Sequence, residues 1–439
     1  MVPTQKVFIK NFGCQMNEYD SERMLESLAL SGYIETSTAD NADLVILNTC
    51  HIRERATEKI YSEIGRLKPN KAENPNLTIA VAGCVAQAEG EEIIRRQPMV
   101  DLVFGPQAYH RLSDMIAASR QSPQVELDFN QDEKFSVLPA QRNNKRVSAY
   151  LTVQEGCDKF CTFCVVPYTR GKEFSRSVQE IYDEAKNLVQ AGSREVILLG
   201  QNVNAYHGQG NGNSSWSLAN LIWKLSDIPR LERIRFVTSH PNDMSEDLNV
   251  AFRDCPKLMP YLHLPIQSGS DRILKLMNRK HTANEYLDVI KNVRSYRPDI
   301  AISGDFIVGF PSENEEDFQQ TMDVVHKVQF VKSFSFKYSQ RPGTPAANMK
   351  QVSKEIQEKR LAKLQSLLFE QQKLALSDSI GKVSKVLFEK KGRYPGQLVG
   401  KNEHFQVVHA MAKDELIGDI STVCYTAASS NSLEGSLVV

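Results

Sequence analysis

The chain reads as an α/β protein in three parts. These are an N-terminal parallel-sheet α/β domain over residues 1–125, a central partial (β/α)6 barrel over 146–350 and a small, OB-like C-terminal β-barrel over 381–439. Three observations predict this. Short apolar runs alternate with helical stretches up to about residue 120, the alternation resumes in larger units after 146, and beyond Gly381 strands turn at glycines with no helix between them. Strands alternating with helices imply parallel pairing through right-handed crossovers. Strands without helices imply a small all-β unit.

In the first part the predicted strands are "QKVFIKNF", "ADLVILN", "LTIAVAG" and "VDLVFG". Each is followed by a helical stretch such as "NEYDSERMLESLALSG" or "AYHRLSDMIAAS". Residues 121–145, "QSPQVELDFNQDEKFSVLPAQRNNK", are polar and break the rhythm, so 126–145 is expected to be a linker. In the second part the strands are "RVSAYLTVQ", "REVILLGQN", "RIRFVTSH", "YLHLPIQS", "AISGDFIVGF" and "SFSFKYSQ", which make six βα units. Barrels of this type carry their working groups on loops at the carboxyl ends of the strands. Residues 351–380 hold one connecting helix whose leucines recur at helical spacing and are expected to pack on the barrel. Then "KVSKVLFEKKG", "GQLVGKN" and "FQVVHAMA" supply the β-unit.

With 439 residues, 41% apolar, 24% charged and a formal net charge of zero, there is ample material for several cores and no global bias toward nucleic acid. Any RNA-binding surface must be a local patch. The eight cysteines lack the density of a disulfide-stapled domain. No signal-peptide pattern is visible, and the longest apolar runs are far below spanning length. A cytoplasmic protein with no membrane association is expected.

Cys157, Cys161 and Cys164 form C-x3-C-x2-C just after the first barrel strand, with Phe163 beside the last. A zinc knuckle completed by a distant ligand would use such a loop. So would a 4Fe-4S cluster held by three thiolates, with one iron left open for an amine and a carboxylate. S-adenosyl-L-methionine offers both at its methionine end. Two features favour the cluster: the loop lies at a barrel's working end, and no second CxxC-type pair occurs in the chain. Later strand ends place Gly200, Gln201 and Asn202, then Ser239 and His240, then Gln267, Ser268 and Gly269, then Asp305 and Gly309 near the same mouth. The glycines of "GDFIVGFP" let a flat adenine approach the backbone. His240 and His263 are read as packed or hydrogen-bonded rather than ligating.

Cys14, Cys50 and Cys84 lie 36 and 34 residues apart, yet "FIKNFGC", "VILNTC" and "AVAGC" each put a cysteine at the end of a strand and before a helix. Carboxyl ends of parallel strands share one edge of the sheet, so three thiolates converge there. Helix N-termini beside the sulfurs favour thiolate. A second three-cysteine 4Fe-4S cluster is expected, whereas Cys255 and Cys424 have no partners and are read as ordinary.

The cysteine loop, with its aromatic before the last cysteine, resembles the radical S-adenosylmethionine signature, and the six βα units resemble that superfamily's partial barrel. Nearly the whole chain resembles the methylthiotransferases, which join a three-cysteine N-terminal domain, a radical barrel and an RNA-binding C-terminal TRAM barrel. "FGCQMNEYDSERM", "LNTCHIRERATEKIY" and "CVVPYTRGKEFSR" resemble the branch acting on tRNA (MiaB-type). The resemblance implies conversion of N6-isopentenyladenosine at position 37 to its 2-methylthio form, with two S-adenosylmethionine molecules. One methylates sulfur at the N-terminal cluster; the other is cleaved at Cys157, Cys161 and Cys164 to a radical source. Strand-end residues 200–202, 239, 267, 268, 305 and 309 would hold the cosubstrate. An electron donor such as flavodoxin or ferredoxin and a sulfur or cluster donor are implied partners. Alternatives that stay open are methylthiolation of threonylcarbamoyladenosine in tRNA or of a ribosomal-protein aspartate, and, outside enzymes, an iron–sulfur redox-sensing RNA-binding protein. RNA contacts are expected at Arg170, Lys172 and Arg176 by the cluster mouth. More are expected at Lys382, Lys385, Lys390, Lys391, Arg393 and Tyr394 on the β-unit, where basic residues interleave with an aromatic.

Overall fold

A computed structural model of the chain describes all residues except 1–4, 51–55, 130–133, 136, 140, 141, 143–145, 211, 213 and 439. The apolar runs of the first 120 residues become the middle of a six-stranded parallel sheet. Its strands are β1 (Gln5–Phe12), β2 (Tyr33–Glu35), β3 (Leu44–Thr49), β4 (Thr78–Gly83), β5 (Leu102–Phe104) and β6 (Gln124–Glu126). They lie in the order β2-β1-β3-β4-β5-β6. β3 and β4 are buried at every residue, as strands covered by helices on both faces must be. One face packs Leu44, Ile46, Ala80 and Ala82 with Met24 and Leu28 of the helix Gln15–Leu30. The other packs Val45, Leu47, Ile79 and Val81 with Ile60 and Ile64 of the helix Ala56–Arg66. The short edge strands β2 and β6 were not among the sequence expectations, and β6 abuts the expected linker.

That linker also departs from expectation in its described residues. Lys134 and Arg142 are buried rather than solvated. Arg142 pairs with Glu22 at 3.0 Å and Glu26 at 2.9 Å, and Arg23 donates to the Pro139 carbonyl at 2.8 Å. These bonds clamp the segment onto the helix Gln15–Leu30. The charges that made it look like a tether are its anchors.

The chain divides into two compact units. The first is Met1–Asn144 with Gln154–Asp158 and Val165–Arg176, and the second is Lys145–Val153, Lys159–Cys164 and Ser177–Val439. A short hairpin of β8 (Gln154–Glu155) and β9 (Phe174–Ser175) belongs to the first.

In the second unit all six expected barrel strands form. They are β7 (Ser148–Thr152), β10 (Glu195–Leu199), β11 (Arg233–Phe236), β12 (Tyr261–His263), β13 (Ala301–Val308) and β14 (Lys332–Lys337). They pair in parallel as β7-β10-β11 and β12-β13-β14, bridged at Ile234 and Leu258, which leaves β7 and β14 as edges of an open barrel. The helices start at capping boxes, Ser177 with Glu180, Thr282 with Glu285 and Asn314 with Asp317. The helix Lys354–Ser377 packs Leu364 and Leu368 into the barrel core, as its leucine spacing predicts. Its Leu376 packs into a closed five-stranded barrel, β15 (Val383–Lys391), β16 (Gln397–Asn402), β17 (Val407–Met411), β18 (Ile420–Ala428) and β19 (Ser432–Leu437).

Two buried arginines on β11 tie this small barrel to the large one. Arg233 donates to the carbonyls of Lys401 and Lys385, both at 2.8 Å. Arg235 donates to Glu403 and Asn402 carbonyls at 2.8 and 2.7 Å and to the Glu195 carboxylate at 2.7 Å. Burial alone would push the Glu195 carboxyl up, but Arg235, Lys401 and Arg233 hold it below its ordinary value. Its contribution to stability is therefore complete above the ordinary glutamate pKa of about 4.3 and lost as pH falls through the lower folded value. Arg235→Met leaves that carboxylate buried and unpaired. It is expected to cost about 3–5 kcal/mol in urea unfolding at neutral pH. Adding Glu195→Gln should recover part of the loss.

Candidate functional site

The first three cysteines sit where strand ends meet polar side chains. Cys14 caps the helix Gln15–Leu30, and its thiol lies 3.3 Å from Asn17 Oδ1. Asn17 donates to Asn48 Oδ1 and to the Thr49 carbonyl, both at 3.0 Å. Asn48 returns a bond to the Asn17 carbonyl at 2.8 Å, and Thr49 Oγ1 bonds the Ala82 carbonyl and accepts from Val85 N–H. This lattice fixes the carboxyl ends of β1, β3 and β4 against one another, and with them Cys14, Cys50 and Cys84. Residues 51–55 of "LNTCHIRERATEKIY" lie outside the described residues.

The three thiols feel one another. A hydrogen bond with Cys50 is the largest influence on Cys14, and with the Arg170 charge it pulls the Cys14 thiol down to about 6 against burial. Burial pushes the Cys84 thiol up although Arg170 stands beside it. Cys14 is thus lowered chiefly by Cys50 and Arg170, with smaller help from the Asn17 and Met16 N–H groups at the helix start, whereas burial prevails at Cys84.

Arg170 belongs to a closed charge group. Its guanidinium lies 2.7 Å from Asp20 and 3.5 Å from Glu155. Lys134 lies 2.7 Å from Glu155 and 3.9 Å from Asp20. All four side chains are at most 3% exposed. Gln107 donates to Glu155 at 2.8 Å, and the Lys134 ammonium stands 4.4 Å over the Tyr109 ring. Arg170 is thus no RNA contact: it lies beneath the cysteines of the N-terminal sheet. Arg176, also buried, stacks 4.3 Å over Phe135, so it too is withdrawn from RNA, whereas Lys172 is exposed.

The second cysteine loop is held at both ends. Cys157, in the first unit, donates its N–H to the Gly171 carbonyl at 3.3 Å. Gly156 before it has φ +75°, and a Cβ there would stand 1.9 Å from the Lys172 carbonyl, so only glycine fits. In the second unit, Cys164 N–H bonds the Cys161 carbonyl at 3.0 Å, and Thr162 bonds both Met277 and Leu276 carbonyls. Phe160 takes φ +47°, a conformation that costs about 1–3 kcal/mol and is braced by Asn278 donating to its carbonyl at 2.9 Å. Phe163 lies edge-on to Phe310 at 6.5 Å. Arg279 places Nη1 3.9 Å from Cys161 Sγ.

The barrel's strand ends converge as expected, with one exception. Gly200, Asn202 and Ser239 are buried and Gln201 half-buried. Asn202 donates to Asp243 at 2.8 Å, and Asp243 also pairs with Lys159 of the cysteine loop at 2.7 Å. Ser239 Oγ is buried with no hydrogen-bond partner among the described residues, a vacancy in hydrogen bonding that a polar ligand can fill. Gln267, at φ +77°, bonds β13 through both backbone groups, and buried Ser268 accepts from Ser270 N–H. Asp305 lies 3.4 Å from His263, which also meets Ser303 Oγ at 3.0 Å. His240 accepts from Asn242 N–H and is kept neutral by burial. Both histidines are hydrogen-bonded, as read. Gly309 is the exception. A Cβ there would stand 2.3 Å from Gln357 Cγ, its N–H is bonded to Glu313 at 2.8 Å and its carbonyl to Gln357 at 3.1 Å. The connecting helix makes a close approach there.

All six candidate ligands are cysteine sulfurs, the soft donors that iron–sulfur clusters take, and an arginine stands beside each set. Among the described residues no three His, Cys, Asp or Glu side chains are set to hold a metal ion. Cys255 is buried in the barrel core and Cys424 lies on β18, both outside these sites. On the β-barrel, Lys382, Lys385, Lys390, Lys391, Arg393 and Tyr394 are all exposed, with Lys391 paired to Asp414. Sequence reasoning missed Asn17, Asn48, Thr49, Asp20, Lys134 and Glu155. Polar residues ending an otherwise apolar strand, as in "VILNTC", were the available signal. Among the described residues no helix is long and apolar enough to cross a membrane.

Comparison with known proteins agrees with this arrangement. Residues 6–105 match the uncharacterized protein family UPF0004, and residues 151–325 match the Radical SAM superfamily. The tRNA-2-methylthio-N(6)-dimethylallyladenosine synthase of Roseobacter denitrificans is 59% identical over 99% of both chains. Those of Jannaschia sp. and Ruegeria sp. (strain TM1040) are each 57% identical, over 99% and 100% of this chain and 94% and 100% of theirs. In fold, the radical S-adenosylmethionine methyltransferase TsrM from Kitasatospora setae matches 78% of this chain and 75% of its own with a TM-score of 0.56 at 12% identity. The cobalamin-dependent radical enzyme OxsB matches at a TM-score of 0.53 and 15% identity over 83% of this chain, which spans 56% of that structure. The chain belongs to the tRNA-2-methylthio-N(6)-dimethylallyladenosine synthase family, within the radical S-adenosylmethionine superfamily.

Proposed function

We propose that this protein methylthiolates C2 of N6-isopentenyladenosine (N6-dimethylallyladenosine) at position 37 of tRNA, consuming two S-adenosylmethionine molecules, one as methyl donor and one as radical source. The observation that carries this is the 59% identity to a synthase of that name along essentially the whole of both chains. When bound, a four-iron cluster supplies the electron that cleaves S-adenosylmethionine, the chemistry an unactivated C–H demands.

The residues then divide the work. Cys157, Cys161 and Cys164 would hold one cluster, with Arg279 offsetting sulfur charge. Cys14, Cys50 and Cys84 would hold the other, with Arg170 in that role. Gly200, Gln201, Asn202, Ser239, Gln267, Ser268 and Asp305 would orient the cosubstrate, Ser239 through its unpartnered hydroxyl, and Phe163 would support the loop. Gly309 acts one step removed, by seating Glu313 and Gln357. Residues 1–125 would serve sulfur, 146–350 the radical, and 381–439 the RNA, through Lys382, Lys385, Lys390, Arg393 and Tyr394. We place the enzyme in the cytoplasm, served by a flavodoxin- or ferredoxin-type electron donor and a sulfur or cluster donor.

Mass spectrometry of tRNA nucleosides from a strain lacking the gene tests the function. The 2-methylthio nucleoside should vanish and its dimethylallyl precursor accumulate; an unchanged nucleoside profile overturns the assignment. Anaerobically reconstituted protein should carry about eight irons. Replacing Cys157, Cys161 and Cys164 by alanine should leave about four and abolish 5′-deoxyadenosine formation. Replacing Cys14, Cys50 and Cys84 should also leave about four but retain it. Arg170→Met removes one of the two cations facing the buried Asp20 and Glu155 carboxylates and leaves the group one positive charge short. It should lower unfolding stability by about 3–5 kcal/mol and shed iron from the N-terminal site first, with Arg170→Lys intermediate.

A further inference from the structure

β14 carries its side chains the wrong way round for a barrel strand. On its neighbour β13, Ile302, Phe306 and Val308 are buried in the core against the helices. β14 reads Lys332-Ser333-Phe334-Ser335-Phe336-Lys337. Its register sets Phe334 beside Asp305 and Phe336 beside Ile307. Neighbours in a parallel ladder share a face. Both phenylalanines therefore lie with Asp305 and Ile307, opposite the core, and the serines face the other way. Phe334 and Phe336 remain 45% and 42% exposed. The Phe334 ring stands edge-on to His263 at 6.3 Å, and His263 is the partner of Asp305. Ile307 packs in the same cluster as Phe163 of the cysteine loop. Lys332, on the same face, holds its ammonium 5.7 Å from the Phe334 ring. β14 is an edge strand, so this strip lines the barrel's open side.

An aromatic and aliphatic strip left uncovered is unfavourable in water, and here it runs from a cation toward the cysteine loop. A flat base bearing a branched aliphatic tail has the matching chemistry. We propose that Phe334 and Phe336 are the substrate-recognition wall: the dimethylallyl group of the target adenine packs against Phe334 and Ile307, and the base lies over Phe336. This rests on the function proposed above and names the residues that select for the prenyl group.

The test uses reconstituted full-length enzyme and two anticodon stem-loop RNAs of one sequence, carrying adenosine or N6-dimethylallyladenosine at the target position. Affinities are read by fluorescence anisotropy with S-adenosylmethionine present. Wild type should prefer the dimethylallyl RNA. Phe334→Ala should cut that preference about tenfold, with affinity for the unmodified RNA and for S-adenosylmethionine changed less than about twofold. Phe334→Tyr should retain the preference. If Phe334→Ala proves unstable, Phe334→Asn, which keeps bulk but replaces the apolar surface with a polar one, is read in its place. An unchanged preference in the variant, a wild type that binds both RNAs alike, or a parallel loss of S-adenosylmethionine affinity overturns the proposal; the last would assign the strip to the cosubstrate. Wild type that forms no methylthio nucleoside on the dimethylallyl RNA sinks the function itself, whereas turnover with undiminished discrimination in Phe334→Ala sinks only this inference.

Discussion

Four buried charges hold the first unit in working order. Asp20, Lys134, Glu155 and Arg170 come from four separate segments, sum to zero and are almost fully removed from water. Each ion taken from water carries a desolvation penalty of several kcal/mol, so such a group is tolerable only when complete. Burial pushes the Asp20 carboxyl up even against Arg170 and Lys134, while Lys134 and Arg170 hold Glu155 below its ordinary value. The consequence is geometric. Glu155 stands two residues before Cys157, and Arg170 faces Cys14 and Cys84. The position of one cysteine segment and the charge around the other cysteine set are therefore decided by the same ions.

Above that layer, two kinds of bond divide the labour. Apolar burial sets the sheet: β3 and β4 need helices on both faces and get them. Hydrogen bonds then fix the strand ends, where the chain must leave the core. Asn17, Asn48 and Thr49 satisfy backbone groups there that would otherwise be buried unpaired. The barrel follows the same plan with different means, using Gln267 in a left-handed conformation and the Asn202–Asp243–Lys159 chain to place its loops.

Much of this was legible in the sequence, for physical reasons. Long buried strands are continuous apolar runs, so β3, β4, β10 and β13 stand out, and a cysteine at each of three strand ends needs only the sheet's polarity to become a cluster of sulfurs. What escaped notice depends on distant partners. Lys134 and Arg142 look solvated until Glu155, Glu22 and Glu26 are brought to them, and so a clamped segment reads as a linker. Arg170 reads as a phosphate contact for the same reason. Gly309 invites a close approach to the backbone, but nothing local says that Gln357 makes one. β2 and β6 are three residues each, too short for a period to show.

The hydrogen bonds from the arginines of β11 to the small barrel all go to main-chain oxygens, and Arg235 adds one side-chain contact, 4.7 Å over the Phe405 ring. Carbonyls are the same whatever side chain they carry, so, Phe405 apart, the grip is indifferent to the composition of the strands it holds. The outward surface of the small barrel is thereby free to be recoloured, charge by charge, without loosening its seat. What it does not tolerate is a change of length between Lys401 and Glu403, because a single inserted residue would move the oxygens out from under two fixed guanidinium forks.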